Sequence, residues 1–223
     1  ASMLNIAAQA TDKSVRKVLA HPYSLNPEGF RKGPRVNDTP SPQFDQDLGS
    51  WTAPFIMASI NAKVVRRTAA MLTQMYGSEF KYTEVMTTKG RAMSLGVYAA
   101  LGIFFPLAAF GPTRLLMQKT FLPAPGEGPS KEQRDSGFFK AQLVGKIQGE
   151  IVLKGRVKGI QDPGYGETAK MLSESALSLA QDQLPQQFGV LTPSVAIGQP
   201  LIDRLRAAGM TFSVEASGGG GQK

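Results

Sequence analysis

The sequence contains no cysteine and only one histidine, His21. Disulfides, thiolate catalysis and cysteine-ligated zinc are therefore excluded, as are His-rich metal sites and mechanisms that need two histidines. No internal repeat is present. The chain begins at Ala1 without an initiator methionine and without a basic-then-apolar leader, so we expect a processed chain or a fragment of a longer protein.

What the chain has is positive charge. It carries 25 lysines and arginines against 17 aspartates and glutamates, a net charge of +8, which favours anionic surroundings such as phosphates or anionic lipid headgroups. Aromatic residues do not interleave with the basic ones as a stacking platform requires, so nucleic acid is not the expected partner. The 42% apolar and 19% charged residues are typical of a folded globular protein of one or two domains.

The hydrophobic pattern predicts an α+β fold, with a mixed or antiparallel sheet, helices packed on one face of it and a protruding apolar helical hairpin. Helices are expected at residues 1–19 (capped at Asp12), 58–76, 166–182 and 193–208. Strands are expected at residues 51–57, 80–88, 138–146, 151–160 and 210–215, of which the third and fourth form a hairpin. Residues 20–50 are rich in Pro, Asn, Asp, Gly and Ser, which predicts a long surface loop.

The clearest amphipathic pattern lies in the helix at residues 58–76. Its predicted apolar face consists of Ile60, Val64, Val65, Ala69, Met71, Leu72 and Met75. Lys63 and Arg67 fall on the opposite face and are expected in solvent. In the strand that precedes this helix, Pro54 lacks a backbone N–H and predicts an edge position in the sheet.

Residues 92–113, AMSLGVYAALGIFFPLAAFGPT, form the longest uncharged run of the chain. Its 22 residues reach the length of a membrane span, but Pro106 and the glycines weaken a straight helix. We favour a helix–break–helix that dips into one leaflet; a buried core element or domain interface, and a true span, are the alternatives. The side chains predicted to insert are Leu95, Leu101, Ile103, Phe104, Phe105, Leu107 and Phe110. The cations predicted to lie at headgroup level are Arg91, Arg114 and Lys119.

One short motif resembles a dinucleotide-binding turn. Residues 164–169, GYGETA, match G-x-G-x-x-A between a predicted strand and a predicted helix, and Asp182 lies 18 residues beyond Gly164. The preceding strand, however, alternates with Lys154, Arg156 and Lys158, and no second βα unit follows. A tight strand-to-helix turn is therefore the favoured interpretation, with cofactor binding as the alternative.

Two further segments are weak candidates for catalysis or phosphate binding. His21 begins the loop with no second histidine or carboxylate beside it, so acid–base catalysis is not expected there. Residues 126–131, GEGPSK, only loosely resemble a phosphate loop, because Pro129 removes a backbone donor. No catalytic, cofactor-binding or metal-binding residue is predicted in this chain.

Several segments together resemble the C-terminal half of the saccharopine dehydrogenase-like oxidoreductases, which include the mycobacterial trans-acting enoyl reductases and the animal saccharopine dehydrogenase-like protein. The matching segments are APFI at 53–56, VVRRT at 64–68, PGYG at 163–166, GVLTPSVA at 189–196, LIDRL at 201–205 and GMTFSV at 209–214. The apolar run matches in position. The resemblance extends to about Glu215, and it depends on the order and spacing of these segments.

The resemblance implies a two-domain parent whose N-terminal Rossmann domain binds NAD(P) and is absent from these residues. Residues 1–215 then correspond to the second domain, which covers the cofactor cleft and dimerises through its sheet, with an apolar insertion at about 92–122. Residues 216–223 form a tail expected to be disordered. Family members are associated with lipid droplets or membranes, so a peripheral intracellular location is expected.

Two functions stay open at this point. In the first, the chain is the membrane-contacting domain of an NAD(P)-dependent oxidoreductase acting on a lipid, in a homodimer or larger assembly. In the second, it is a non-catalytic subunit that docks on a membrane or in a complex.

Overall fold

The computed structural model describes residue 9, residues 12–120 and residues 128–216. Contacts divide the chain into two compact units, Ala1–Glu127 and Gly128–Lys223. The predicted helix before residue 12, part of the phosphate-loop-like segment and most of the predicted tail lie outside the described residues. The assignment of residues 1–215 to a single functional domain stays a prediction.

The first unit combines a small sheet with five helices among its described residues. The three strands are antiparallel in the order β1-β2-β3. The elements are α1 Lys13–Ala20, β1 Gln43–Asp45, β2 Ser50–Pro54, α2 Ala58–Met71, α3 Thr73–Tyr76, β3 Val85–Thr88, α4 Arg91–Ala109 and α5 Gly111–Thr120.

The second unit has its own three-stranded antiparallel sheet in the order β4-β5-β6. Its elements are α6 Lys131–Asp135, β4 Phe139–Ile147, β5 Glu150–Gly159, α7 Gly166–Gln181, α8 Pro193–Ala196, α9 Gln199–Ala207 and β6 Thr211–Ala216. The predicted α+β class with antiparallel pairing is confirmed, although the strands form two sheets instead of one. The expectation about a preceding Rossmann domain concerns residues outside this sequence and stays a prediction.

Helix starts and strand turns follow local chemistry. Asp12 begins α1 as predicted, because its Oδ1 accepts hydrogen bonds from the backbone N–H groups of Ser14 at 2.7 Å and Val15 at 3.4 Å. The predicted hairpin between β4 and β5 is confirmed. Gln148 and Gly149 connect these strands with positive φ angles of 52° and 90°, the pattern of a type I′ turn.

Three predicted elements are shorter or interrupted. The helix predicted at residues 58–76 breaks at Leu72, between α2 and α3. The helix predicted at 193–208 breaks at Gly198, whose φ of 69° lies in the left-handed region. In the strand predicted at 80–88, only Val85–Thr88 pair in the sheet.

The edge position predicted for the strand around Pro54 is wrong, since β2 is the central strand of its sheet. The pairing with β1 ends at Thr52, so Pro54 lies beyond it and its missing N–H removes no bond on that side. The strand β1, inside the predicted loop, was not anticipated.

The solvent-facing assignment of Lys63 on α2 is also wrong. Lys63 and Arg66 are both buried, whereas Val64 and Met75 of the predicted apolar face are exposed. The buried face of α2 therefore consists of three alanines, a threonine and two cations that reach back to earlier parts of the chain. Its members are Ala58, Ala62, Lys63, Arg66, Thr68 and Ala69.

Candidate functional site

Helix α4 is fastened to the sheet of the first unit through its first turn. Ser94 is completely buried, and its hydroxyl lies 2.6 Å from that of Thr88 at the end of β3. The guanidinium of Arg91 lies 5.9 Å from the centre of the Trp51 ring on β2, a distance at which a cation and an aromatic ring attract each other. The start of the apolar run is thus held by β2 and β3.

Beyond this anchor, most of the predicted apolar side chains face solvent. The exposed fractions are 49% for Leu95, 63% for Ile103, 42% for Phe105, 41% for Leu107 and 60% for Phe110. An added Cβ at Gly96 or Gly102 would meet no atom within 4 Å. The helix therefore does not serve as a core element of the described chain, which is one of the alternatives raised by the sequence.

The remaining two predicted apolar residues are half-buried. Phe104 packs against Ala108, which is fully buried, and Leu101 is partly covered. Phe104 also meets Phe105 edge to face at 5.6 Å between ring centroids. These contacts shape the end of α4 and leave the neighbouring side chains exposed.

The predicted helix–break–helix is present, with the break at Phe110. Helix α4 continues through Pro106 to Ala109, Phe110 is extended with a ψ of 122°, and α5 begins at Gly111. Thr113 Oγ1 donates a hydrogen bond of 3.0 Å to the Phe110 carbonyl. The same carbonyl accepts a 3.0 Å hydrogen bond from the backbone N–H of Arg114, so the first turn of α5 starts directly at the break.

The surface extends further than the sequence analysis proposed. Met93, Tyr98, Leu115 and Leu116 are also large, exposed and on α4 or α5. The signal for Met93 and Tyr98 was present in the same run, because a small core cannot cover a helix with apolar residues on all sides. Leu115 and Leu116 follow Arg114 and lie beyond the run. Of the three predicted cations, Arg91 and Lys119 are exposed and Arg114 is half-buried.

One helix among the described residues, Arg91–Ala109, is long and apolar enough to cross a membrane by length and composition, and 11% of its apolar window is buried. Its first turn belongs to the anchor on the sheet. The fifteen residues from 95 to 109 rise only about 22 Å as a helix. That length is shorter than a hydrocarbon core of about 30 Å.

The G-x-G-x-x-A segment forms a tight turn around a buried carboxylate. Glu167 is fully buried, and its Oε1 accepts hydrogen bonds from the backbone N–H groups of Ile160 at 2.8 Å and Gln161 at 3.1 Å. Lys170 Nζ lies 3.1 Å from the same oxygen. The backbone N–H groups of Tyr165 and Glu167, which a pyrophosphate at this turn would need, are bound by Asp162 at 2.7 Å and 2.9 Å. The residues present do not fit a dinucleotide there.

In the dinucleotide interpretation, Asp182 would be the carboxylate that binds the ribose. In the structure it is bound to Arg204 instead. Its two oxygens accept hydrogen bonds of 2.7 Å from Arg204 Nε and 2.8 Å from Nη2. These bonds, with one from Ser178, lower the pKa of Asp182 to about 2. The pair lines a shallow open cavity between α7 and α9 of about 580 Å³ and ties the two helices together.

A cationic cluster on α2, missed from the sequence, holds the long loop. Arg66 Nη1 donates a 2.9 Å hydrogen bond to Asp38 Oδ2, Nη2 bonds Asp38 Oδ1, and Nη2 also donates to the Tyr82 carbonyl at 2.8 Å. Lys63 donates to the Leu19 carbonyl, and burial lowers the pKa of this lysine. Arg67, also expected in solvent, donates to the Leu25 carbonyl. These contacts organise the loop.

His21 and Ser130 serve local structure. The Nδ1 atom of His21 accepts a 3.2 Å hydrogen bond from the backbone N–H of Tyr23. In the described part of the segment at 126–131, Ser130 caps α6 by accepting a 3.2 Å bond from the Gln133 N–H. Among the described residues, no three His, Asp or Glu side chains come together as a metal site would require.

The α+β fold and the exposed apolar helix do not by themselves indicate a reaction, but the names of similar proteins indicate a class of chemistry. One similar protein, from Mycobacterium tuberculosis, carries the provisional name of trans-acting enoyl reductase. It is 35% identical over 229 residues, which cover 95% of this chain and 54% of the relative's own length. The trans-acting enoyl reductases of Mycobacterium tuberculosis and Mycobacterium ulcerans are each 29% identical, over 91% and 92% of this chain and 52% of their own lengths.

This similarity supports a relationship to oxidoreductases. The chain spans about half the length of the curated relatives it matches. No protein-family model matches the chain, and no solved structure matches it. Membership of the wider saccharopine dehydrogenase-like family stays a prediction.

Proposed function

We propose that this chain is the substrate-side part of an NAD(P)-dependent oxidoreductase that docks on a membrane or lipid droplet through α4 and α5. The observation that carries the proposal is the exposed apolar surface of α4, held at one end by the sheet. Enoyl reduction saturates a carbon–carbon double bond in an acyl chain, and a lipid-facing surface places such a substrate within reach. The cofactor belongs to a further domain in this proposal, because the turn at Gly164 does not accommodate it.

The mode of contact follows from the length and charge of the segment. Since the projecting part of α4 rises less than the thickness of the hydrocarbon core, it lies in one leaflet. Arg91 and Lys119 are exposed at the two ends of the α4–α5 segment, where headgroup phosphates attract cations. No acidic residue interrupts residues 92–113. The location we propose is therefore peripheral to the membrane, and the resemblance to the saccharopine dehydrogenase-like family favours an intracellular one.

The expected strength can be derived from the exposed fractions of three side chains. Ile103, Phe105 and Phe110 expose 63%, 42% and 60% of their surface. Complete burial of one such side chain contributes about 1.5–3 kcal/mol, so transfer of the exposed parts into lipid contributes about 2.5–5 kcal/mol in all. Their loss lowers the partition coefficient at least about 60-fold.

Vesicle flotation of the triple variant I103S/F105S/F110S tests the proposal. Phe104 is left unchanged, because it packs against Ala108 and its loss could disturb the fold. The matched control is L172S/L179S/F188S, which removes three side chains exposed to 70%, 62% and 86% elsewhere in the chain. The proposal requires loss of flotation in the first variant alone. Equal flotation of wild type and I103S/F105S/F110S, with circular dichroism unchanged, contradicts it.

The alternative function is a non-catalytic subunit that docks through the same surface. What favours it is the turn at residues 164–169, where Asp162 already accepts the backbone N–H groups of Tyr165 and Glu167 that a phosphate would need. A fluorescence titration with NADH and NADPH separates the two functions when it is done on the protein isolated from its source. Dinucleotide binding by that material supports the oxidoreductase, whereas a source protein of this length that binds neither supports the docking subunit.

The assembly state is a further part of the proposal. Strands β4 and β6 are the edges of the second sheet, and unpaired edges can pair with a second copy of the chain. We expect a homodimer or larger assembly, which analytical ultracentrifugation measures directly.

A further inference from the structure

The second sheet carries a cluster of cations on the face that turns away from helix α7. Lys140 of β4 lies directly opposite Lys158 of β5, and Gln142 lies opposite Arg156. Directly opposed residues of an antiparallel pair share one face of the sheet. The pairing of β5 with β6 adds two small polar residues to this face, since Lys158 is opposite Thr211 and Arg156 is opposite Ser213.

We call this group of six residues the basic face; its members are Lys140, Gln142, Arg156, Lys158, Thr211 and Ser213. All six are exposed. A Cβ added at Gly159, on the other face, would meet Phe139 and Glu167 of α7. The first turn of α7 therefore meets the sheet on the other face, at the end of β5, and the basic face is open.

The charges on the basic face are unbalanced. Like charges directly opposite each other destabilise a sheet, yet Lys140 and Lys158 occupy such a pair. Within the part of the chain that the structure describes, no carboxylate lies within ion-pair distance of Lys140, Arg156 or Lys158. The same face continues to Lys154, which lies opposite Glu215. Across these paired residues four exposed cations stand against one acid, and this excess of positive charge attracts an anionic surface.

From this face we infer a second membrane contact: the basic face binds anionic phospholipid headgroups. The inference rests on the proposed function for its biological setting and concerns a different unit of the chain. It assigns to Lys140, Arg156 and Lys158 a recognition of anionic headgroups that adds to that of Arg91 and Lys119 at the ends of the α4–α5 segment.

The composition of the face favours lipid over other anionic partners. Protein interfaces are depleted in lysine and depend on aromatic or other large apolar anchors. The six residues of the basic face include neither, and the apolar residue next to them on this side, Val144, is small and half-buried. Single-stranded nucleic acid requires aromatic stacking, which is equally absent. Headgroup attraction needs only cations near the surface and contributes about fivefold in partitioning for each one.

The test is co-sedimentation of the full 223-residue chain with vesicles of phosphatidylcholine alone and of phosphatidylcholine with phosphatidylserine. The variant K140Q/R156Q/K158Q removes three charges and no apolar contact. It is expected to lose up to about 100-fold of the partitioning that phosphatidylserine adds. Partitioning to phosphatidylcholine alone should not change, and added salt should weaken the wild type more than the variant.

The matched control is K32Q/R35Q/K81Q, which removes two exposed lysines and one exposed arginine at other positions. The charge-preserving variant K140R/K158R should bind phosphatidylserine vesicles as the wild type does. The inference is overturned if the wild type shows no preference for phosphatidylserine, or if K32Q/R35Q/K81Q loses as much of that preference as K140Q/R156Q/K158Q. It is also overturned if duplex DNA, and not the vesicles, binds through the same three residues.

The failure of this inference and that of the proposed function are distinguishable. Substitution of Ile103, Phe105 and Phe110 reduces binding to both kinds of vesicle, whereas substitution on the basic face reduces only the increment from phosphatidylserine. A chain that binds both vesicles equally, and loses both through the α4 variant, keeps the proposed function and overturns the second contact. A chain that binds only phosphatidylserine vesicles, through the basic face, keeps the second contact and contradicts the role of α4.

Discussion

The buried ion pair between Arg66 and Asp38 is expected to hold the long loop of the first unit closed. The Arg66 side chain is 1% exposed and that of Asp38 is 14% exposed. The substitution Asp38→Asn keeps the shape and a hydrogen-bond acceptor but removes the negative charge. It leaves the guanidinium of Arg66 buried without a counter-charge, which is the costly half of a broken buried pair.

The magnitude follows from that burial. Removing one partner of a buried ion pair costs about 3–5 kcal/mol, and we expect the lower end, about 3 kcal/mol, because Arg66 keeps its bonds to the Tyr82 and Pro22 carbonyls. At about 1.4 kcal/mol for each factor of ten, the open population of the loop rises about 100-fold.

Limited trypsin digestion measures the open population of the loop. Arg31, Lys32 and Arg35 lie in the loop between Tyr23 and Asp38 and are exposed, but cleavage requires local opening to fit the protease. When opening and closing are fast compared with cleavage, the cleavage rate follows the open population. Mass spectrometry should show cleavage at these three sites about 100-fold faster in Asp38→Asn than in the wild type.

The control is Glu28→Gln, which makes the same chemical change at an exposed residue of the same loop. Its cleavage rate should equal that of the wild type. Equal cleavage of Asp38→Asn and Glu28→Gln would refute the view that the buried pair organises this loop.

Three further predictions concern the second unit. Arg204 lowers the folded-state pKa of Asp182 to about 2. The contribution of this pair to the free energy of unfolding is therefore fully present above the ordinary pKa near 4 and is lost as the pH falls towards 2. In urea unfolding at several pH values, Asp182→Asn should flatten this part of the stability–pH curve. Gly159→Ala should destabilise by about 1–3 kcal/mol, since its Cβ would lie 2.4 Å from the Phe139 ring, and thermal unfolding measures the loss. Gln148→Asn should stabilise the type I′ turn by up to about 1 kcal/mol, seen as a higher melting temperature.

The sequence predicted best the features that depend on local chemistry. The cap at Asp12 and the hairpin between β4 and β5 follow from neighbouring residues, and the structure confirms them. The break in the apolar segment lies at Phe110, before Gly111 and Pro112, and α4 continues through Pro106, where the sequence had predicted the interruption. The exposure of α4 was anticipated because an uncharged run of this length exceeds what a small core can cover. Its contact with lipid stays a prediction.

The features that sequence reasoning missed depend on distant partners. Lys63 was expected in solvent and Arg66 was not assigned, because the burial of a cation is predictable only when its acceptors are known. Those acceptors are the Leu19 carbonyl and the carboxylate of Asp38, which is 28 residues away from Arg66. The separation into two sheets likewise depends on which strands find each other, and periodicity alone does not specify this.

The absence of cysteine permits the most direct test of the central claim. The single substitution Phe105→Cys provides one thiol on the apolar surface of α4, and Phe188→Cys provides a control at a side chain that is 86% exposed in the other unit. Each thiol is labelled with a polarity-sensitive fluorophore and mixed with vesicles that carry a quencher at a known depth. The account predicts a blue shift and quenching by acyl-chain quenchers at position 105 and neither at 188. Vesicle binding with an unchanged spectrum at position 105, or equal shifts at both positions, would contradict it.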